Sequence, residues 1–425
     1  MNYLINKKSF IAIFSILILS IAPALVKSLG LMFYHLLYLA LLFIFLGNFV
    51  KRDVFKIYLT GPLLSAFFWI QITIFFYSVL LSTLSSDFEI RTFLSYADNH
   101  LLPIVLSIFY MGLIRKFDTK ILLYHSYIAI IYLSFFLSII HIYITFSGDY
   151  EFAINFLSYD PSLHDAKTLW GSEYRSRGIF NSPGETGVFF GLLLLLLLSF
   201  FDTTTKNIFK VPSLIYILSY LSIFLVFFAG VTTGSKSFVI LATFLSLSYI
   251  FSSFGLKKIY GLAIFFALLI IMFSFEFFLN YLDKYIVFKD LHSFLYNISG
   301  GRFTDGGTSI INLFDKASTE QNSTIIGIGY TFPNYAFDNE YIYYYLTSGL
   351  LGLMLKLYYQ YFLIMKIVDW RKLLANVNNL IVMFILAVSL AGDFLHANRI
   401  SILMVFIIFF LDLQFNFFKN ENKST

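Results

Sequence analysis

Long uninterrupted apolar runs are the feature that most restricts how this chain can fold. About a dozen runs of roughly 17 to 25 residues follow one another, and a helix of about 20 residues crosses the ~30 Å hydrocarbon core of a bilayer. Backbone polar groups find no water in lipid, so such runs must be helices, whereas barrel strands alternate apolar and polar residues over ~10 positions. The sequence predicts an all-α polytopic membrane protein.

Charge and cysteine content exclude other classes of protein. Only 12% of the 425 residues are charged, about half the usual fraction, which excludes a soluble globular enzyme. The net charge of +5 comes from basic residues dispersed between apolar runs, so no nucleic-acid partner is predicted. The chain has no cysteine, which excludes disulfides, thiolate nucleophiles and cysteine metal sites.

About twelve spans are predicted within a single membrane domain, residues 1–425. The first run follows Lys7 and Lys8 like a signal peptide, but Pro23 and Lys27 lead into the next run without a small-residue cleavage site, so it is interpreted as a helix. The predicted spans are 9–26, 29–50, 57–82, 93–114, 121–146, 186–201, 211–229, 236–254, 259–279, 341–366, 380–395 and 400–418.

Basic residues are distributed unevenly between the two ends of these spans. With both termini inside, 17 of the 29 Lys and Arg residues fall in inner segments, and the short outer loops hold only Lys27, Arg91, Lys236 and Arg399. The positive-inside rule therefore predicts cytoplasmic termini. Both long connections, residues 147–185 and 280–340, are then outer loops, and the second opens with the apolar spacing of an interfacial amphipathic helix.

Arginine does not follow the inward bias of lysine. Guanidinium groups bind phosphate and carboxylate bidentately, so outward arginine suits a diphosphate or an acidic ligand. Snorkelling side chains and salt bridges within the loops are the alternative interpretation. Five of the eight arginines are predicted to face outward: Arg91, Arg175, Arg177, Arg302 and Arg399.

The first outer loop ends in the most informative stretch of the sequence. Ser182, Pro183 and Glu185 fit a capping box at the start of the span 186–201. Glu185 either completes this box or serves as a base on an acceptor hydroxyl. Arg175 and Arg177 have no capping role, because a cation opposes the dipole at a helix N-terminus. An anionic ligand would explain both arginines.

Three further spans are predicted to start at the outer face with similar residues. Their free backbone N–H groups carry partial positive charge, so a cluster of such starts beside basic side chains predicts a receptor for phosphate groups. The alternative is that each start simply needs a cap. The starts contain Thr232 to Lys236 with Ser235, then Asp338, Asn339 and Glu340, then His396 to Arg399.

A few polar residues lie outside these starts. His164, His292 and His396 have no metal-ligand spacing, and no metal is predicted. Lys356 and Gln71 lie inside spans, where polar groups are costly and often functional. The alternative for Lys356 is a side chain that snorkels towards the inner surface.

Several short motifs follow one another between Arg177 and Gly352. They are Arg177, Gly178, Phe180 and Pro183; Thr233, Gly234, Ser235 and Lys236; Gly301 and Arg302; Gly327, Ile328 and Gly329; Asp338, Asn339, Glu340 and Tyr341; and Gly349 and Gly352. Together they resemble the bacterial O-antigen polymerase and ligase superfamily, which contains Wzy-type polymerases and lipopolysaccharide O-antigen ligases. Lys236 stands where this family usually carries arginine. Asp338 stands where ligases place a histidine, which favours the polymerase branch.

The resemblance implies a GT-C-like membrane glycosyltransferase that acts by inversion, without metal or cofactor, at the periplasmic face of the bacterial inner membrane. The donor is a growing glycan on undecaprenyl diphosphate, and the acceptor is one lipid-linked repeat unit of an O-antigen or capsule-type polysaccharide. Asp338 or Glu185 acts on the acceptor hydroxyl. A chain-length-regulating co-polymerase and a flippase are the implied protein partners. The implied diphosphate-binding residues are Arg175, Arg177, Lys236, Arg302 and Arg399, supported by Ser235, Asn339 and Glu340.

Two other functions fit parts of the sequence. An O-antigen ligase would use the same donor and transfer the glycan to lipid A-core. A lipid-linked oligosaccharide flippase or other transporter would also have about twelve helices. Transporters commonly bind substrate near the membrane midplane on broken helices, whereas polar residues here concentrate in the two outer loops.

Overall fold

The computed structural model describes residues 7–19, 24–26, 31–32, 35–36, 38, 61–84, 90–147, 180, 182–201, 211–235, 237–249, 325–327, 329–330, 340–391 and 398–424. Their longer α-helices are α1 (Lys7–Ile18), α2 (Pro62–Leu84), α3 (Ile90–Lys116), α4 (Thr119–Ser147), α5 (Pro183–Phe200), α6 (Ser213–Thr232), α7 (Glu340–Ile367), α8 (Val377–Ala391) and α9 (Asn398–Ser424). Shorter elements are the antiparallel strands β1 (Ala24–Val26) and β2 (Leu31–Met32), the π-helix Ser237–Ala242 and the 3-10 helix Trp370–Lys372.

The helical membrane fold is confirmed. Within the described ranges, seven helices are long and apolar enough to cross a membrane: α2, α3, α4, α5, α6, α7 and α9. Two shorter apolar helices, Lys8–Ile18 and Val377–Leu390, coincide with two more of the predicted spans. The total of twelve stays a prediction, because the span 259–279 and the predicted amphipathic helix that follows it lie outside the described residues.

The predicted end of the first span and the predicted start of the second span are wrong. The first helix ends at Ile18 and not at residue 26, and β1 pairs with β2 where the second span was predicted to begin. Proline lacks a backbone N–H and crowds the preceding helical turn, so Pro23 disfavours continuation of the first helix, although α3 accommodates Pro103 in its interior. Strand pairing satisfies the backbone groups that helical bonds would otherwise have satisfied.

Helices α5 and α9 form the centre of the described bundle. Their membrane-crossing windows are 89% and 83% buried, compared with 28% for α6 at the periphery. The run of leucines from Leu192 to Leu198 is buried on every side of α5. A helix that is apolar all round is suited to this central position, since every face meets another helix.

The helix ends meet in the arrangement expected of alternating spans. At one end, Ser9 near the start of α1 bonds His125 near the start of α4, at 2.7 Å between Oγ and Nδ1. At the opposite end of α4, His141 Nε2 lies 3.1 Å from the hydroxyl of Thr232, the last residue of α6. Helices α4 and α6 therefore run in the same direction, as expected of two spans that start at the same membrane surface.

Helix α7 reverses direction within its length. Gly349 has the non-helical angles φ 60° and ψ −155°. Glu340 and Lys356 are 16 positions apart, which is about 24 Å along a straight helix, yet their side chains are 2.5 Å apart. The predicted span 341–366 is therefore a hairpin, with a short arm (residues 340–348) and a long arm (residues 350–367).

Candidate functional site

The start of α5 matches the predicted capping motif. Ser182 has extended backbone angles, and its hydroxyl accepts the backbone N–H of Glu185 at 3.1 Å. Pro183 occupies the first helical turn, where its missing N–H is not needed. Glu185 is partly buried in this turn. The cap predicted for Ser182 is confirmed, and a base role for Glu185 stays a prediction.

A second predicted motif packs directly against this helix. Thr233 Oγ1 accepts the backbone N–H of Ser235 at 3.1 Å, and Gly234 between them has φ 60°. Ser235 is buried against Gly187, where an added Cβ would lie 2.2 Å from the Cβ of Ser235. The Ser235 motif thus contacts the helix that the Ser182 motif starts, and only a residue without a side chain fits at Gly187.

Most of the other predicted site residues lie outside the part of the chain that the structure describes. Arg399 is the second residue of α9. The residues outside the described ranges are Arg175, Arg177, Lys236, Arg302, Asp338 and Asn339.

The structure places Glu340 inside the bundle. Its carboxylate Oε1 lies 2.5 Å from Lys356 Nζ, and the two side chains are only 2% and 11% exposed. Lys356 therefore does not snorkel to a surface. The ammonium also lies 5.2 Å from the ring centre of Tyr344, so it contacts the short arm at two places.

A cavity of about 30 Å³ adjoins this ion pair, which is room for about two water molecules. Five helices contribute to its lining. Pro103, which lines one side, has 13 residues of α3 on either side of it, so the cavity lies near the middle of the bundle. The buried hydroxyl of Tyr359 has no hydrogen-bond partner among the described residues. The polar lining residues are Gln71, Glu340, Tyr344, Lys356, Tyr359, Gln360 and Ser401.

Gln71 connects this cavity to a buried histidine. The Gln71 side-chain amide donates to the hydroxyl of Tyr344 at 3.1 Å, and its Oε1 accepts from Nδ1 of His100 at 2.7 Å. An amide oxygen only accepts, which places the proton on Nδ1. His100 is fully buried and stacks on Tyr343 at 5.8 Å. Sequence reasoning identified Gln71 but missed His100, which carries no local signal beyond a polar residue within a span.

The predicted Gly327 and Gly329 motif forms a turn that holds the tip of α7. The Leu350 N–H donates to the carbonyl of Ile325 at 2.9 Å, and the Gly329 N–H donates to that of Thr347 at 3.0 Å. Gly327 and Gly329 have φ 89° and 70°, a region that favours glycine. An added Cβ at Gly327 would lie 2.4 Å from the backbone nitrogen of Gly349. The motif is thus a close backbone contact between a segment of the second predicted outer loop and the hairpin tip.

A second polar cluster lies on α3. Asp98 accepts a hydrogen bond from the hydroxyl of Tyr38, and His35 Nε2 lies 3.4 Å from its other carboxylate oxygen. Within the described part of the chain, no group of His, Asp and Glu is arranged to hold a metal ion. No local sequence pattern connects Tyr38 with Asp98, which are 60 positions apart.

No protein-family model, no curated protein and no solved structure matches this chain. The support for a function therefore comes from the side chains themselves: the contact between the α5 start and Ser235, and the polar centre around Glu340 and Lys356.

Proposed function

We propose that this chain is an inverting, metal-independent glycosyltransferase that polymerises lipid-linked oligosaccharide repeat units. In this proposal the donor is a glycan on undecaprenyl diphosphate and the acceptor is one lipid-linked repeat unit. The reaction takes place at the periplasmic face of a bacterial inner membrane, in a GT-C-like fold with cytoplasmic termini. The observation that supports it most is the packing of Ser235 against Gly187 in the first turns of α5, because it brings one motif of the resembled family against the helix that begins at Pro183 of another.

The chemistry of this contact suits a diphosphate. Arg177 precedes the Ser182 cap by five residues and Lys236 follows Ser235 directly, so both cations are tethered close to one pair of helix starts. Helix N-termini and cations together stabilise negative charge, here the charge that develops on the diphosphate leaving group. Arg175, Arg302 and Arg399 complete the proposed diphosphate site, and Asp338 or Glu185 acts on the acceptor hydroxyl.

The test is a polymerisation assay with purified protein and a single lipid-linked repeat unit. The native protein is expected to give a ladder of products. Arg177→Lys and Arg302→Lys keep the charge but lose the bidentate geometry, and a lost hydrogen bond to a charged group slows transfer by about tenfold or more. Arg371→Lys, at an exposed arginine in the 3-10 helix, is the matched control and should keep full activity.

Full ladders from both arginine variants, at matched and limiting protein, would contradict the diphosphate site. Adding lipid A-core as an alternative acceptor to the same assay tests the ligase. Transfer to lipid A-core without a ladder would replace the polymerase by the ligase.

Transport of a lipid-linked oligosaccharide is the second candidate function. It is favoured by the break in α7 at Gly349 and by the buried Glu340–Lys356 pair beside a cavity in the interior of the bundle, since transporters bind substrates at broken helices and buried charges. Proteoliposomes that contain a fluorescent lipid-linked oligosaccharide in both leaflets test it. If the protein makes the inner-leaflet lipid accessible to an impermeant reagent added outside, and no ladder forms, transport is favoured over polymerisation.

A further inference from the structure

Two side chains of the long arm hold the first turn of the short arm. Lys356 pairs with Glu340 at 2.5 Å, and Gln360 Oε1 accepts from the hydroxyl of Tyr341 at 2.8 Å. Lys356 and Gln360 are four positions apart, so they lie on one face of the helix. Gln360 is tied in turn to α8, because its amide donates to Ser389 at 3.4 Å.

The short arm depends on such contacts for its position. Nine residues are too few for an isolated helix to be stable, so tertiary contacts determine where this segment lies. Its tip is held by the Ser78–Ser348 contact, 2.6 Å between hydroxyl oxygens, and by the Gly327 and Gly329 turn. Its base is held by Lys356 and Gln360.

The ion pair dominates at the base because both groups are charged and buried. A carboxylate in the bundle interior is strongly disfavoured without a cation beside it. Removal of the Lys356 ammonium therefore favours withdrawal of Glu340, and with it the base of the short arm, towards water. A tyrosine–glutamine hydrogen bond involves neutral groups and opposes this withdrawal much less.

We propose that Lys356 is a positioning residue: acting through Glu340, it latches the short arm of α7 into the bundle, and this latch is required for glycosyl transfer. The second half of this inference rests on the proposed transferase function. The first half does not, because the position of the short arm is measured without any substrate.

The position of the short arm is read from a single cysteine in this cysteine-free chain. Ile342 is only 4% exposed, so Ile342→Cys should react slowly with a water-soluble methanethiosulfonate reagent. Adding Lys356→Met is expected to speed labelling about tenfold or more, since the buried partner of Glu340 is lost. The charge-swapped pair Glu340→Lys with Lys356→Glu should restore protection. Lys366→Met, at an exposed lysine of the same arm, is the control that should change nothing.

Transfer is measured with the same variants per amount of folded protein. Lys356→Met is expected to lower turnover about tenfold or more and to change the KM for the lipid-linked acceptor by less than about threefold, whereas Lys356→Arg should keep most of the turnover. A general loss of folding would not lower turnover while leaving the KM nearly unchanged. It would also not explain why Lys356→Arg keeps most of the turnover.

Each outcome decides one part of the proposal. Unchanged labelling of Ile342→Cys in the Lys356→Met background overturns the latch. Faster labelling with undiminished turnover overturns its requirement for transfer. If the native protein gives no ladder, the transferase proposal fails, and labelling alone still decides whether Lys356 latches the short arm.

Discussion

At the scale of single residues, helix caps in this chain are either local or distant. Ser182 caps its own helix from the adjacent position. Helix α2 begins at Pro62 after Gly61, which has no side chain that could cap it. Asp412 of α9 takes this role instead, because its carboxylate accepts the N–H groups of Leu63 at 3.4 Å and Leu64 at 3.3 Å. A carboxylate that accepts two N–H groups in the first turn of a helix caps that helix, so this contact fixes α2 against α9.

We expect Gly61→Ala to destabilise the protein. Gly61 has φ 93°, and an added Cβ would lie 2.0 Å from Asp412 Oδ2. The left-handed backbone alone costs a residue with a side chain roughly 1–2 kcal/mol, and displacement of the carboxylate adds to this. Thermal unfolding in detergent measures the effect.

Gly112→Ala is the matched control for this prediction. Gly112 is exposed within α3, and an added Cβ there meets nothing within 4 Å. Alanine is favoured over glycine within a helix by roughly 0.5–1 kcal/mol, so the melting temperature should not fall. Equal decreases in both variants would contradict the Asp412 cap.

At the scale of elements, the reversal of α7 places its tip against α2. Ser348, the last residue of the short arm, touches Ser78 at 2.6 Å between hydroxyl oxygens. Only glycine fits at the next position, residue 349, because a Cβ added to Gly349 would lie 2.3 Å from the carbonyl oxygen of Ile325. A single straight helix through this region could not also bring Glu340 to Lys356.

We expect Ser78→Cys and Ser348→Cys together to form a disulfide on mild oxidation. Cysteine is nearly isosteric with serine, and the two hydroxyl oxygens are already in contact, as two sulfur atoms must be to form a disulfide. The measurement is the loss of two free thiols, with the linked peptide identified by mass spectrometry. The pair Ser78→Cys and Ser222→Cys is the control, since Ser222 bonds to α4. A failure to crosslink at Ser348 would contradict the position of the hairpin tip.

At the scale of the whole molecule, the outer surface of the described bundle is apolar, and a few polar groups are buried within its interior. Phe76, Leu214 and Ile217 are each more than 60% exposed on spanning helices, a surface suited to lipid and not to water. Gln71, His100, Glu340 and Lys356 are buried instead. Polar groups in a membrane protein turn towards one another because lipid cannot satisfy them.

We expect both long loops to face outward, from the excess of basic residues at the opposite ends of the spans. Cysteines at Ser162 and Ser318 should then react with an impermeant thiol reagent in intact spheroplasts. Leu374→Cys, in the exposed turn after the 3-10 helix, should react only after lysis. The reverse pattern would invert the proposed orientation.

The sequence by itself determined the features that depend on neighbouring residues. Hydrophobic runs predicted membrane helices because the free energy of transfer into lipid is nearly additive along a segment. The predicted bounds of the spans that correspond to α2, α4, α5 and α6 lie within a few residues of the observed helix ends. The Ser182 cap was predictable because a cap and the N–H it accepts are three positions apart.

Only the tertiary structure decided the contacts between distant residues. Glu340 and Lys356 were each visible in the sequence, but 16 positions on one helix would have kept them apart until Gly349 reversed the chain. Asp412 lies more than 340 positions from Leu63 and Leu64, whose N–H groups it accepts. A buried charge requires a partner but does not specify which one, because the choice depends on which helices pack together. Local sequence patterns carry no record of that packing.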